Sequence, residues 1–145
     1  MLNAQENLLK PRMIKELGKQ DKAWMAKARR YGLDILRWYS KSDTVTPLHL
    51  DDAFQAWKKD RTDNRAPHGM IISGFGVLFG DYIVQHKNAK WIIVSNCLGK
   101  SLAVLSSQSR AVYPINSVAS KVDRNSKKER FFKLMWAESV EKSFK

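Results

Sequence analysis

Met70-Ile71-Ile72-Ser73-Gly74-Phe75-Gly76-Val77-Leu78-Phe79-Gly80-Asp81-Tyr82-Ile83-Val84-Gln85-His86-Lys87 is the stretch on which the reading of the chain turns. Wound as a helix, it sets Gly69, Ser73, Gly76 and Gly80 in a narrow small-residue stripe at spacings of four, three and four. Ile72, Phe79 and Ile83 form an apolar face beside that stripe. A stripe without bulky side chains lets another backbone come close, so this segment is expected to be the central and most buried helix, with Phe79 in the core.

Outward from that segment the period changes. After Asn88, Trp91-Ile92-Ile93-Val94, Leu102-Ala103-Val104-Leu105 and Ala111-Val112-Tyr113 read as short strands. Turn-rich links at 96–100 and 106–109 join them, which fits a three-stranded antiparallel meander. Pro114 stops the third strand, a short element spans 115–122, and a closing helix runs from Ser126 to about Glu141 with Phe131, Leu134, Trp136 and Val140 as its apolar contacts.

On the amino-terminal side, Thr46-Pro47 is a helix start, a capping hydroxyl followed by a proline whose missing N–H costs nothing there. The helix that follows carries Leu50, Phe54 and Trp57 on one face. Asp51 and Asp52 sit near its positive end, and Lys58 and Lys59 near its negative end. From Asp21 to Lys41, Trp24, Ala28, Tyr31, Ile35 and Trp38 recur at helical spacing, and Gly32 weakens that helix by up to about 1 kcal/mol relative to Ala. Residues 3–17 read as a shorter helix on Leu8, Leu9, Met13 and Leu17, interrupted by Pro11. The expected architecture is therefore α+β. Amino-terminal helices and the central glycine-bearing helix pack on a small three-stranded antiparallel sheet, which a carboxy-terminal helix closes. Residues 1–145 form a single domain, in which 1–47 is a helical extension packed on a core of 48–145.

Composition bounds the function. With 43% apolar residues, five Trp and six Phe, the 145 residues can fill a core, which excludes disorder of the whole chain. One cysteine excludes an internal disulfide framework and agrees with a reducing compartment. The amino terminus lacks the basic-then-apolar pattern of a secretory leader. The longest apolar window, 69–80, is shorter than the roughly 20 residues that span a bilayer. A cytoplasmic protein is expected.

The formal net charge is +12, and it is unevenly spread. Residues 121–145 hold eight cations against four carboxylates, about twice the net charge per residue of the rest. Lys121, Arg124, Lys127, Lys128, Arg130 and Lys133 make the one dense basic cluster, and they are the candidate partner-binding residues. Between Asp81 and Asp123 there is no carboxylate at all.

That gap weighs against catalysis. The Gly74 to Gly80 run resembles a dinucleotide loop, but such a loop needs an acid about twenty residues on and a surrounding βαβ unit, so helix packing is the better reading. Cys97 and His86 would need an acidic third member to make an activated thiol, and none is local. His49, His68 and His86 are 19 and 18 residues apart, unlike the short spacings that pre-organise a zinc site. Asp81 is the one carboxylate in the apolar helix; without a second acid beside it for general acid–base work, it reads as a helix-surface residue or as one ion-paired with Lys121 or Arg124. No cofactor and no catalytic residue is assigned.

The order Phe75 to Val84, Lys90 to Val94, Leu102 to Val104, Val112-Tyr113-Pro114 and Val118 to Arg124, preceded by the Leu50 to Trp57 helix, resembles a small bacterial domain of unknown function, family number 3806. The resemblance covers about residues 48–140. It implies a glycine-bearing helix on a small antiparallel sheet with a closing helix, and it brings no catalytic residue with it. The turn from His86 to Ala89 and the high basicity depart from the usual look of the family, so no surface-borne function is carried over. The expectation for function is a non-enzymatic bacterial interaction domain, of the immunity or accessory kind, that binds one acidic protein partner. The alternative is a sequence-nonspecific nucleic-acid binder that uses the basic 121–133 segment.

Overall fold

In the computed structural model, which describes residues 13–97, 99–122 and 130–144, a strand β1 (Met13–Lys15) precedes three helices, α1 (Lys19–Ser40), α2 (Pro47–Lys59) and α3 (His68–His86). Strands β2 (Ala89–Asn96), β3 (Gly99–Ser106) and β4 (Ala111–Val112) follow, then α4 (Pro114–Val122). A closing helix comprises α5 (Phe131–Met135) and a π-helical continuation, Trp136–Glu141. The expected α+β architecture with an antiparallel sheet is present, but the sheet has four strands and not three, in the order β1-β2-β3-β4.

The added strand is β1. Met13 pairs with Ser95, Ile14 with Val94 and Lys15 with Ile93, so residues read as helical from Met13 onward are extended instead. A three-residue strand is too short to show a period, and its order comes from the free edge of β2. The rest of the expected 3–17 helix, 3–12, lies outside the described residues. The β2–β3 hairpin runs in register from Ala89 opposite Ser106 to Asn96 opposite Gly99. Gly99 takes φ +123°, a conformation glycine adopts without a Cβ penalty.

Helix α3 is the buried centre. Ile71, Ile83 and every residue from Gly74 to Gly80 are buried, Phe79 completely. Its glycines meet different neighbours. A Cβ on Gly32 would lie 2.8 Å from the carbonyl oxygen of Gly74, so α1 and α3 cross through bare backbone. Gly76 faces Ile115 of α4, and Gly80 faces the indole of Trp91 on β2. Gly69, the first member of the expected stripe, faces open space.

The Gly32–Gly74 crossing also rotates α1 relative to the sequence reading. Met25, Ala28, Gly32, Ile35 and Leu36 are buried, while Trp24 and Trp38 are 42% and 60% exposed. Ala28 and Ile35 of the expected stripe lie on the side that docks, whereas its terminal rings, Trp24 and Trp38, do not. Helix α2 matches its expectation, since Thr46 Oγ1 accepts the N–H of His49 at 3.1 Å and Leu50, Phe54 and Trp57 are all buried. In the closing helix the buried residues are Phe132, Met135 and Val140, followed by Phe144, whereas Leu134 is 45% exposed. The expected start at Ser126 lies outside the described residues. Trp91 and Val104 on one face of the sheet join the helical core. On the other face, Ile92, Val94 and Ala103 form a second, smaller cluster with Leu105 and Tyr113.

Candidate functional site

Phe54 is fixed in the core face of α2, its ring stacked on Trp57 at 5.7 Å and edge-on to Phe132 at 5.8 Å. One turn later on the same helix comes Lys58. The closing helix is laid across this end of α2 by Asp51, whose two carboxylate oxygens accept the backbone N–H groups of Phe132 at 2.7 Å and Lys133 at 2.9 Å. Those N–H groups belong to the first turn of α5, which has no partner within its own helix for them. Asp51 is 2% exposed, and burial pushes its carboxyl up to about 6 against the pull of the two N–H groups. Asp52 adds to the upward push and Arg130 opposes it.

Between α2, the end of α4 and the closing helix lies a groove of about 220 Å³, lined by Phe54, Lys58, Lys121, Phe131, Leu134, Met135, Glu138 and Ser139. Its floor is apolar and its rim carries two ammonium groups. Lys58 Nζ stands 5.0 Å from the centre of the Phe54 ring, and Lys121 Nζ stands 5.6 Å from that of Phe131. Cation–ring contacts of this kind hold each amine over the groove. Among the described residues neither amine is within ion-pair distance of a carboxylate. Burial, and then the like charge of Lys121, hold the Lys58 amine below its ordinary pKa. Glu138, the one acid at the groove among the described residues, is directed to Lys142 at 3.4 Å.

Of the six cations expected to bind a partner, Lys121 reaches this groove. Arg130 and Lys133 are exposed at the start of the closing helix, and Arg124, Lys127 and Lys128 lie outside the described residues. Lys58, which the sequence analysis treats only as a helix-end charge, is the missed member. It is 63 positions from Lys121, and no local pattern couples the two. By sequence Asp51 lies near the positive end of its own helix, but its carboxylate serves the first turn of a different one.

The other candidates are absorbed by the fold. Asp81 is ion-paired as expected, but its partner is Arg29 of α1, with Nη2 donating to Oδ1 at 3.0 Å, and not Lys121 or Arg124. The same Oδ1 accepts the indole N–H of Trp91 at 3.0 Å, so one carboxylate joins α1, α3 and β2. The acid-free span after Asp81 leaves the indole of Trp91 no nearer carboxylate in sequence, whereas the ion pair with Arg29 bridges 52 positions. The Gly74 to Gly80 run is helical and packed against its neighbours. Cys97 is exposed in the β2–β3 turn. His86 stacks on Tyr82 at 4.0 Å, His68 meets Trp57 edge-on at 4.9 Å, and His49 Nδ1 is 2.7 Å from Thr46 Oγ1. Among the described residues no group of three His, Cys, Asp or Glu side chains is placed to hold a metal ion, and no helix is long and apolar enough to cross a membrane.

Compared with known proteins, the chain matches the model of a family described as a domain of unknown function, DUF3806, over residues 55–131. No curated protein and no solved structure matches it. The matched span runs from the middle of α2, through α3 and the meander, to the first residue of α5, so it includes Lys58, Lys121 and Phe131 of the groove. Since that span is more than half of the 145 residues, the chain belongs to the DUF3806 family.

Proposed function

We propose that the chain is a non-enzymatic interaction domain that receives an acidic protein partner in the groove between α2 and the closing helix. The observation that carries this reading is the convergence of Lys58 and Lys121 over an apolar floor, neither of them ion-paired among the described residues. A net charge of +12 supports it, because a positive field accelerates encounter with a negative surface and aligns it. The proposal includes a bacterial, cytoplasmic setting and a role of the immunity or accessory kind, in which one domain occupies one specific partner.

The test is capture from the native lysate by the full chain, repeated with Lys58→Glu and Lys121→Glu. A stoichiometric acidic protein held by the wild type and released by both variants is the expected result. Recovery of nucleic acid alone, with affinity falling steeply as salt rises, overturns it in favour of a nucleic-acid binder.

A further inference from the structure

We infer that the groove reads a short segment of the partner in which one large apolar side chain is flanked by carboxylates. The inference rests on the interaction reading above and specifies its occupant.

Size, floor and rim each eliminate alternatives. A volume of about 220 Å³ falls below the range of about 300–1,000 Å³ typical of drug-sized ligands and cofactors, which points to a single side chain. The floor, where half-buried Phe131 and exposed Leu134 lie over the buried Phe54 and Met135, loses its apolar contact with water only if that side chain is itself apolar. A phosphate backbone would neutralise the cations and leave this floor wet. A wholly apolar segment would press two ammonium groups out of water with nothing to compensate them. An apolar residue between acids satisfies both demands.

The rim is also arranged in advance. Each amine is already held over a ring, so little side-chain freedom remains to be lost when a carboxylate arrives. The arriving charge relieves the mutual repulsion of Lys58 and Lys121. Glu138 gives the groove a polarity, since it leaves one end less favourable to an acid.

Three capped peptides, Asp-Asp-Trp-Asp-Asp, Asp-Asp-Ala-Asp-Asp and Asn-Asn-Trp-Asn-Asn, are titrated into the full chain at low salt, with binding followed by NMR shift changes. The first is expected to bind about tenfold more tightly than either of the others, with shifts centred on Phe54, Phe131 and Leu134; tenfold corresponds to about 1.4 kcal/mol. Leu134→Asp, at an exposed position, should remove the tryptophan advantage without unfolding the chain, and Lys58→Met should remove most of the advantage of Asp over Asn. Equal binding of the Trp and Ala peptides overturns the inference and leaves the acidic-partner reading standing. Equal binding of the Asp and Asn peptides overturns the charge requirement, and with it the inference. If no peptide binds while the lysate partner is still captured, the inference fails alone. If capture fails as well, both fall.

Discussion

A Cβ atom on Gly74 would stand 2.7 Å from the Cα of Gly32, so at this crossing α1 and α3 leave no room for even one methyl group on either side. The obstructing atoms are backbone, which cannot rotate away.

Gly74→Ala is therefore expected to destabilise the fold by about 1–3 kcal/mol or more, although alanine is the better helix former by up to about 1 kcal/mol. Gly69→Ala lies on the same helix in open space and should leave stability unchanged or raise it. Urea unfolding of the two variants provides the comparison. Similar midpoints would mean that the helices can separate without loss.

Asp51 predicts a pH dependence. Its pKa in the folded chain, about 6, lies above the ordinary carboxylate value, so between about pH 4 and 6 the folded chain retains a proton that the unfolded chain has released. Stability from this group is complete below that window and declines as pH rises through it, by up to about 3 kcal/mol. Asp51→Asn removes the titration, so the stability of the wild type relative to this variant should fall from pH 4 to pH 7. Asp51→Ala strands the N–H groups of Phe132 and Lys133 and should cost about 1–3 kcal/mol relative to Asp51→Asn at either pH. A flat wild-type minus Asn difference across the window would contradict the assignment.

The Arg29–Asp81 pair is testable by a double-mutant cycle with Arg29→Met and Asp81→Asn. Because Arg29 is 40% exposed, the coupling should be modest, about 1 kcal/mol, and it should weaken with added salt. Peptide binding in the groove should not change in either variant. Loss of binding would assign Asp81 a role beyond the fold.

Lys58→Met should leave the thermal midpoint unchanged or raise it, because the variant removes a partly buried charge that has no ion-pair partner among the described residues. The same variant should weaken partner capture. A protein that retains a destabilising charge for recognition behaves in this way. A lowered midpoint with intact capture would indicate a structural lysine.

What could be read in the sequence was local. Thr46-Pro47 announces a helix start within two residues, the small-residue spacing of α3 announces burial, and the strands from Trp91 to Val112 announce themselves by period. What could not be read depends on partners that are far apart along the chain. Met13–Lys15 is a strand only because β2 offers an edge. The burial of Gly32 in place of Trp24 and Trp38 follows from Gly74, and the face of the closing helix follows from Asp51. The groove belongs to this second class. Lys58 and Lys121 resemble ordinary helix-end charges until α2 and α4 are set side by side.

The Asp51–Phe132 hydrogen bond also orders events during synthesis. Translation runs from amino to carboxy terminus, so while α2 and α3 emerge and begin to pack, Asp51 has no backbone N–H groups of α5 to receive, and the Phe54 ring has no Phe132 against it. The nascent chain must carry an uncovered acidic and aromatic seam until eighty-one further residues have been added.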